Sequence, residues 1–122
     1  AEAYLECGVD TLFIEALRTP EQMDAACQRF AHRIPLLANM VEGGRTPVLT
    51  HEELQAIGYK LAIFPVTALL AATQAMKQVY TQLQRQGSSA AGSTALMPFS
   101  ELTQLMGFED VWAFERQYAE TP

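Results

Sequence analysis

Three short apolar runs, each followed by a stretch of helical periodicity, predict an α/β fold: the last three βα units of a (β/α)8 TIM-type barrel plus a C-terminal helical tail. The runs occupy residues 11–14, 34–38 and 61–64, and they are continuous, as parallel strands covered on both faces should be. Glu15, Asn39 and Pro65 end them, at intervals of 24 and 26 positions, which fits consecutive βα units with right-handed crossovers. No convincing fourth strand follows. Three parallel strands cannot cover both faces and both edges by themselves. A flavodoxin-like domain needs five strands and starts on one, whereas a complete barrel takes eight strands and about 250 residues. The 122 residues begin without Met and inside a helical pattern, so the chain reads as a piece of a longer barrel.

Each element has a local reason. Residues 1–7 are a helix tail ended by Gly8, the usual residue past a helix C-terminus. After the strand at 11–14, Thr19-Pro20-Glu21-Gln22 starts a helix, with Thr as cap, Pro at the first helical position and Gln three residues on. Met23, Cys27, Phe30 and Ile34 recur at helical spacing and would face the sheet. The second strand runs into Asn39 and a loop carrying Gly43-Gly44 and Thr46-Pro47. Thr50 and Glu53 form a capping-box pattern, and the short helix they start buries Leu54 and Ile57 before Gly58 closes it. The third strand ends at Pro65. A long helix follows over 67–86, with Leu69, Thr73, Met76, Tyr80 and Leu83 as its inner stripe. Residues 1–86 thus make the barrel units. Residues 87–97, small and polar, make a flexible connector. Residues 98–122 make the tail, with helices near 99–106 and 109–119 that carry Leu102, Leu105, Trp112, Phe114 and Tyr118.

Composition narrows the function. With 49% hydrophobic and 18% charged residues the chain should fold. Its net charge is −6 and its eight Lys and Arg residues are scattered, which argues against a nucleic-acid partner. The longest apolar run, 61–72, is short and interrupted by Pro65 and Thr67, which argues against a membrane span. Cys7 and Cys27 sit in apolar helical patterns and read as reduced, buried thiols of a cytoplasmic protein. His32 and His51 lie apart from both, so no metal-ligand spacing emerges.

If the strands are neighbours, Glu15, Asn39 and residues 42–46 meet at one mouth. A carboxylate there can orient a hydroxyl substrate or a metal-bound water, and Asn39 offers a donor and an acceptor to a carboxylate-bearing ligand. Each has a blander alternative. Glu15 can pair with an Arg on a neighbouring strand. Asn39 can end its strand in an Asx turn, and Glu42 can pair with Arg45 inside the loop. Thr67 can cap the long helix. Trp112 and Tyr118 read as packing residues. Spacing alone gives the ligand-facing end of a barrel fragment.

The segment Asn39-Met40-Val41-Glu42-Gly43-Gly44-Arg45-Thr46-Pro47 follows Gly8-Val9-Asp10-Thr11-Leu12-Phe13-Ile14-Glu15-Ala16. With Glu53-Leu54, Gly58-Tyr59, Phe64-Pro65-Val66-Thr67 and Phe114-Glu115-Arg116-Gln117-Tyr118, it resembles the phosphoenolpyruvate mutase/isocitrate lyase superfamily. The resemblance is strongest to the branch holding 2,3-dimethylmalate lyase, methylisocitrate lyase-like and oxaloacetate-cleaving enzymes. Proteins labelled carboxyvinyl-carboxyphosphonate phosphorylmutase share the motif. It implies strands six to eight of a barrel in a Mg2+-dependent lyase that cleaves C–C bonds of small 2-hydroxy or 2-keto dicarboxylic acids through an enolate. The alternatives are a P–C bond mutase or hydrolase of the same superfamily, or a non-catalytic assembly module. The resemblance gives Glu15 a catalytic role and Asn39, Met40 and Val41 substrate contacts, with Glu42 and Thr67 as further candidates. It also implies that the Mg2+ ligands lie upstream of Ala1, that this chain alone is inactive, and that the complete protein is a homo-oligomer, a dimer or tetramer with swapped tails. Two departures bear on substrate. Gly43 stands where methylisocitrate lyases usually have Phe, and Leu70 stands near the place of an Arg that grips an extra carboxylate. A smaller diacid is therefore favoured over a tricarboxylate.

Overall fold

The computed structural model describes residues 1–90 and 92–119; Ala91 of the predicted connector and residues 120–122 of the predicted tail lie outside them. The elements are α1 (Glu2–Glu6), β1 (Leu12–Phe13), α2 (Pro20–Phe30), β2 (Leu36–Asn39), α3 (His51–Ile57), β3 (Leu61–Ile63), α4 (Thr67–Gln86), α5 (Phe99–Leu105) and α6 (Phe108–Tyr118). The chain divides into two compact units, Ala1–Gln74 and Ala75–Pro122. The division falls within α4, whereas the sequence reading puts its boundary at residue 86.

In the first unit the three strands form one parallel sheet in the order β1-β2-β3. Leu12 pairs with Leu36 and Phe13 with Leu37, while Leu37, Ala38 and Asn39 pair with Leu61, Ala62 and Ile63. Adjacent parallel strands in chain order are what βα units produce. The predicted helix starts hold. Thr19 Oγ1 accepts from the Gln22 N–H at 3.3 Å, with Pro20 at the first helical position. The Gln22 side chain reaches back to the Arg18 N–H at 2.7 Å, one residue before the cap. At α3 the capping box is complete: Thr50 Oγ1 accepts from the Glu53 N–H at 3.2 Å, and Glu53 Oε2 from the Thr50 N–H at 2.7 Å. Gly58 closes α3 with φ 119°, a left-handed conformation that a side chain would strain.

The core lies on one face of this sheet. Met23, Ala26, Cys27 and Phe30 of α2 and Leu54 of α3 bury against Leu12, Leu36 and Ala38, with Ile34, Met40 and Tyr59 from the flanks. Every residue predicted for the inner face of α2 is buried. Ile57 is partly buried against the same core. Glu2 ties α1 to the end of α2, accepting from Arg29 Nε at 3.1 Å and Arg33 Nη1 at 2.8 Å. These are exposed ion pairs of small energetic weight.

Three parallel strands leave one face of the sheet open, and Phe13, Leu61 and Ile63 are exposed there. Two expectations fail on burial. The stripe of α4 is open: Leu69 is 62% exposed, and α4 buries no residue. Cys7 is exposed, whereas Cys27 is buried as expected. Leu5 of α1 turns toward the core, and a residue two positions on points about 200° around the helix axis. Periodicity identifies an apolar face without supplying anything to cover it.

The second unit contains the end of α4 together with α5 and α6, and its helices begin and end within a residue of the expected limits. Phe108 stacks obliquely on Trp112 with ring centres 5.9 Å apart, and Phe114 on Tyr118 at 4.6 Å. Neither tail helix buries a residue, and Phe99 and Leu105 are 79% and 72% exposed. The tail carries aromatic pairs and a large uncovered apolar surface.

Candidate functional site

The C-terminal ends of the strands carry the polar residues. Leu36, Ala38 and Met40 are buried on the helix-covered face, so Leu37 and Asn39 project from the opposite one. Asn39 lines a small cleft with Glu15, Ile14, Met40, Thr46 and Tyr59. Glu15 and Asn39, 24 positions apart in sequence, are therefore brought together at one end of the sheet. The cleft encloses about 10 Å3, room for about one water, where sites for small molecules usually span hundreds of Å3.

Asn39 Oδ1 is buried and has no hydrogen-bond donor. An Asx turn would have supplied one, so that alternative is excluded. Glu15 is exposed, and its Oε1 accepts from the Ala16 N–H at 3.1 Å. Among the described residues the ion pairs are Glu2 with Arg29 and Arg33, and His51 with Glu52, so no Arg within the described residues neutralises Glu15. Ala16 has φ 57°, and a left-handed alanine costs about 1–2 kcal/mol. That strain sits directly behind the Glu15 carboxylate.

Met40 is fully buried, at 0% exposure. Its sulfur accepts from the Leu49 N–H at 3.4 Å, and its own N–H donates to the Ile63 carbonyl at 2.8 Å. The Met40 side chain is thus spent on the core. Val41 is half-buried, and its carbonyl accepts from the Gly44 N–H at 3.0 Å, closing a tight turn. Gly43 has φ 74°, and a Cβ on Gly44 would lie 2.9 Å from the Val41 oxygen. The paired glycines are what this turn requires.

Glu42 does not pair with Arg45. Its Oε1 accepts from the Thr67 hydroxyl, and its Oε2 is buried with no donor. Thr67 is the first residue within α4, and its hydroxyl donates to Glu42. Thr46 lines the cleft, within the segment 42–46 expected at the mouth, whereas sequence reasoning passed over Tyr59. Tyr59 stands in a motif segment, but nothing in its spacing marks its side chain as facing a cleft. Burial, then the nearby Cys27 side chain, pushes the Tyr59 hydroxyl up to about 12, so at neutral pH it is a proton-bearing group. Among the described residues no group of three or more His, Cys, Asp or Glu is placed to hold a metal ion. No helix there is long and apolar enough to cross a membrane.

No family model matches the chain. Individual proteins do. The chain is 41% identical over 119 residues to 2,3-dimethylmalate lyase of Eubacterium barkeri, covering 96% of this chain and 40% of that protein. It is 33% identical over 121 residues to 2-methylisocitrate lyase of Halalkalibacterium halodurans, covering 99% and 40%. Among solved structures it matches oxaloacetate acetylhydrolase in complex with the product oxalate, with TM-score 0.84 and 28% identity over 98% of this chain and 40% of that one. A 2,3-dimethylmalate lyase crystal structure matches with TM-score 0.81 and 30% identity, covering 95% and 40%. Phosphonopyruvate hydrolase in complex with oxalate and Mg++ matches with TM-score 0.80 and 27% identity, covering 98% and 42%. The chain spans about 40% of the length of the curated relatives it matches.

Proposed function

We propose, for a chain that resembles the phosphoenolpyruvate mutase/isocitrate lyase superfamily over nearly its whole length, that it forms the last three βα units and tail of a (β/α)8 barrel. The complete protein would be a lyase that cleaves C–C bonds of small 2-hydroxy or 2-keto dicarboxylic acids through an enolate. The observation that carries this reading is Asn39 Oδ1, an acceptor buried without a donor on the cleft it shares with Glu15. A substrate hydroxyl or an acid proton supplies the missing donor. Glu15 Oε1 already takes the Ala16 N–H, which fixes the carboxylate and leaves its remaining acceptor positions for the reacting hydroxyl. For a 2-hydroxy diacid, loss of that hydroxyl proton makes the keto product. The electrons of the broken C–C bond pass to the departing carboxylic acid as its enolate, which a proton then quenches. The absence of a cation at position 70, occupied by Leu70, favours a diacid over a tricarboxylate.

The Mg2+ ligands are proposed to lie elsewhere in the complete protein; among the described residues no group of three or more His, Cys, Asp or Glu is placed to hold a metal ion. The Mg++ and oxalate bound by the phosphonopyruvate hydrolase it resembles support a divalent cation, which would supply charge neutralisation for an enediolate-like ligand. The test is an assay of the complete protein against 2,3-dimethylmalate, oxaloacetate, 2-methylisocitrate and phosphonopyruvate, with and without EDTA. A C–C cleavage product from a diacid, lost with EDTA and restored by Mg2+, is expected. Turnover of phosphonopyruvate alone would move the assignment to P–C chemistry.

The tail is proposed to cover a neighbouring subunit. Phe99, Leu105, Phe114 and Tyr118 are all exposed here, and covering one such side chain is worth roughly 1.5–3 kcal/mol. Deleting residues 96–122 from the complete protein should reduce its mass by light scattering to a smaller assembly. An unchanged oligomer would rule the exchange out.

A further inference from the structure

The strand-end loops hold one contact that neither the fold nor the proposed chemistry uses. The loop after β2 and the start of α4 are joined by the Thr67 hydroxyl, which donates to Glu42 Oε1 across 25 positions of sequence. A second join lies nearby, the Met40 N–H to the Ile63 carbonyl at 2.8 Å. Between the two joins runs Met40-Val41, the continuation of Asn39. The turn that presents Glu42 is tightly specified: the Gly44 N–H closes on the Val41 carbonyl at 3.0 Å, and neither glycine can take a side chain without strain or a clash.

Glu42 is a costly residue to use as a simple loop tie. Its second oxygen, Oε2, is buried without a donor, and Glu42 makes no ion pair among the described residues. A buried polar atom left unpaired needs a reason. A loop contact that served stability alone would be apolar or fully satisfied.

We propose that Glu42 and Thr67 form a clasp that positions Asn39 and the Met40-Val41 backbone for the substrate, making both positioning residues that do not touch the reacting atoms. This rests on the lyase reading for its kinetic consequence and on geometry alone for the clasp itself. The charge-assisted hydrogen bond sets the height of the β2 loop over the strand ends. A substrate bound by Asn39 therefore feels Thr67, with which it makes no contact.

In the complete enzyme, Thr67→Val and Glu42→Leu, which remove the donor and the acceptor, should each raise KM for the diacid by roughly tenfold to a hundredfold, with kcat within about twofold, as loss of uniform binding requires. Thr67→Ser keeps the hydroxyl and should restore KM to within about twofold of the parent. The Glu42→Leu, Thr67→Val double variant should be no worse than the poorer single one, because the same hydrogen bond is removed in all three. A role confined to folding would lower the active fraction, and hence kcat, with KM unchanged, and would overturn the proposal. So would Thr67→Ser behaving like Thr67→Val, or additive single effects. Hydrogen exchange separates the clasp from the lyase reading. Thr67→Val should speed exchange of the Gly44 amide and Thr67→Ser should not, whatever the substrate is. Unchanged Gly44 exchange in Thr67→Val removes the clasp, while the expected exchange with no diacid turnover by the parent removes only the lyase reading.

Discussion

Glu15→Gln in the complete protein is expected to lower turnover by about 10²–10⁴-fold, the range for removing a positioned acid–base group, with little movement of the melting temperature. The stability expectation follows from the site. Glu15 is exposed and its one bond is to the next residue's N–H, a bond that a Gln amide oxygen can also accept. Asn39→Ala is expected to act in the same direction on turnover, and its effect on stability is more telling. Asn39 Oδ1 is buried with no donor, so removing it relieves a desolvation cost of about 1–3 kcal/mol, which offsets the packing that the shorter side chain gives up. A variant that loses activity while keeping or gaining stability marks a residue retained for function. Steady-state kinetics beside thermal melts decide the matter. Normal turnover in either variant, or loss that tracks unfolding, would remove the residue from the site.

Met23→Ala is expected to destabilise the core by about 2–5 kcal/mol. Met23 is 1% exposed on the face of α2 that meets the sheet, and it also lines the wall of the cleft containing Glu15 and Asn39. Its loss leaves a cavity under both. Urea unfolding of the complete protein measures the cost, and a change below about 1 kcal/mol would mean that the site collapses around the missing side chain. The neighbouring Tyr59 provides a control, since Tyr59→Phe keeps the ring volume while removing the hydroxyl.

The sequence by itself determined what depends on residues within a turn or two of one another. Thr19 and Thr50 cap their helices because the acceptor and the N–H lie three positions apart. Met23, Cys27 and Phe30 share the buried face of α2 because helical spacing puts them there. Consecutive strand-helix units gave neighbouring parallel strands, and from that followed the meeting of Glu15 with Asn39. The resemblance carried by residues 39–47 reached the superfamily without any coordinates. Tertiary structure alone decided what lies opposite each face. It left Leu61, Ile63 and Leu69 exposed although their pattern is that of buried residues, and it turned Cys7 outward. It placed the Met40 side chain in the core with its sulfur under the Leu49 N–H. It also joined Glu42 to Thr67 and left Asn39 Oδ1 and Glu42 Oε2 without donors. Periodicity and capping are properties of a local stretch of chain, but burial and an unpaired acceptor depend on what packs against it from elsewhere.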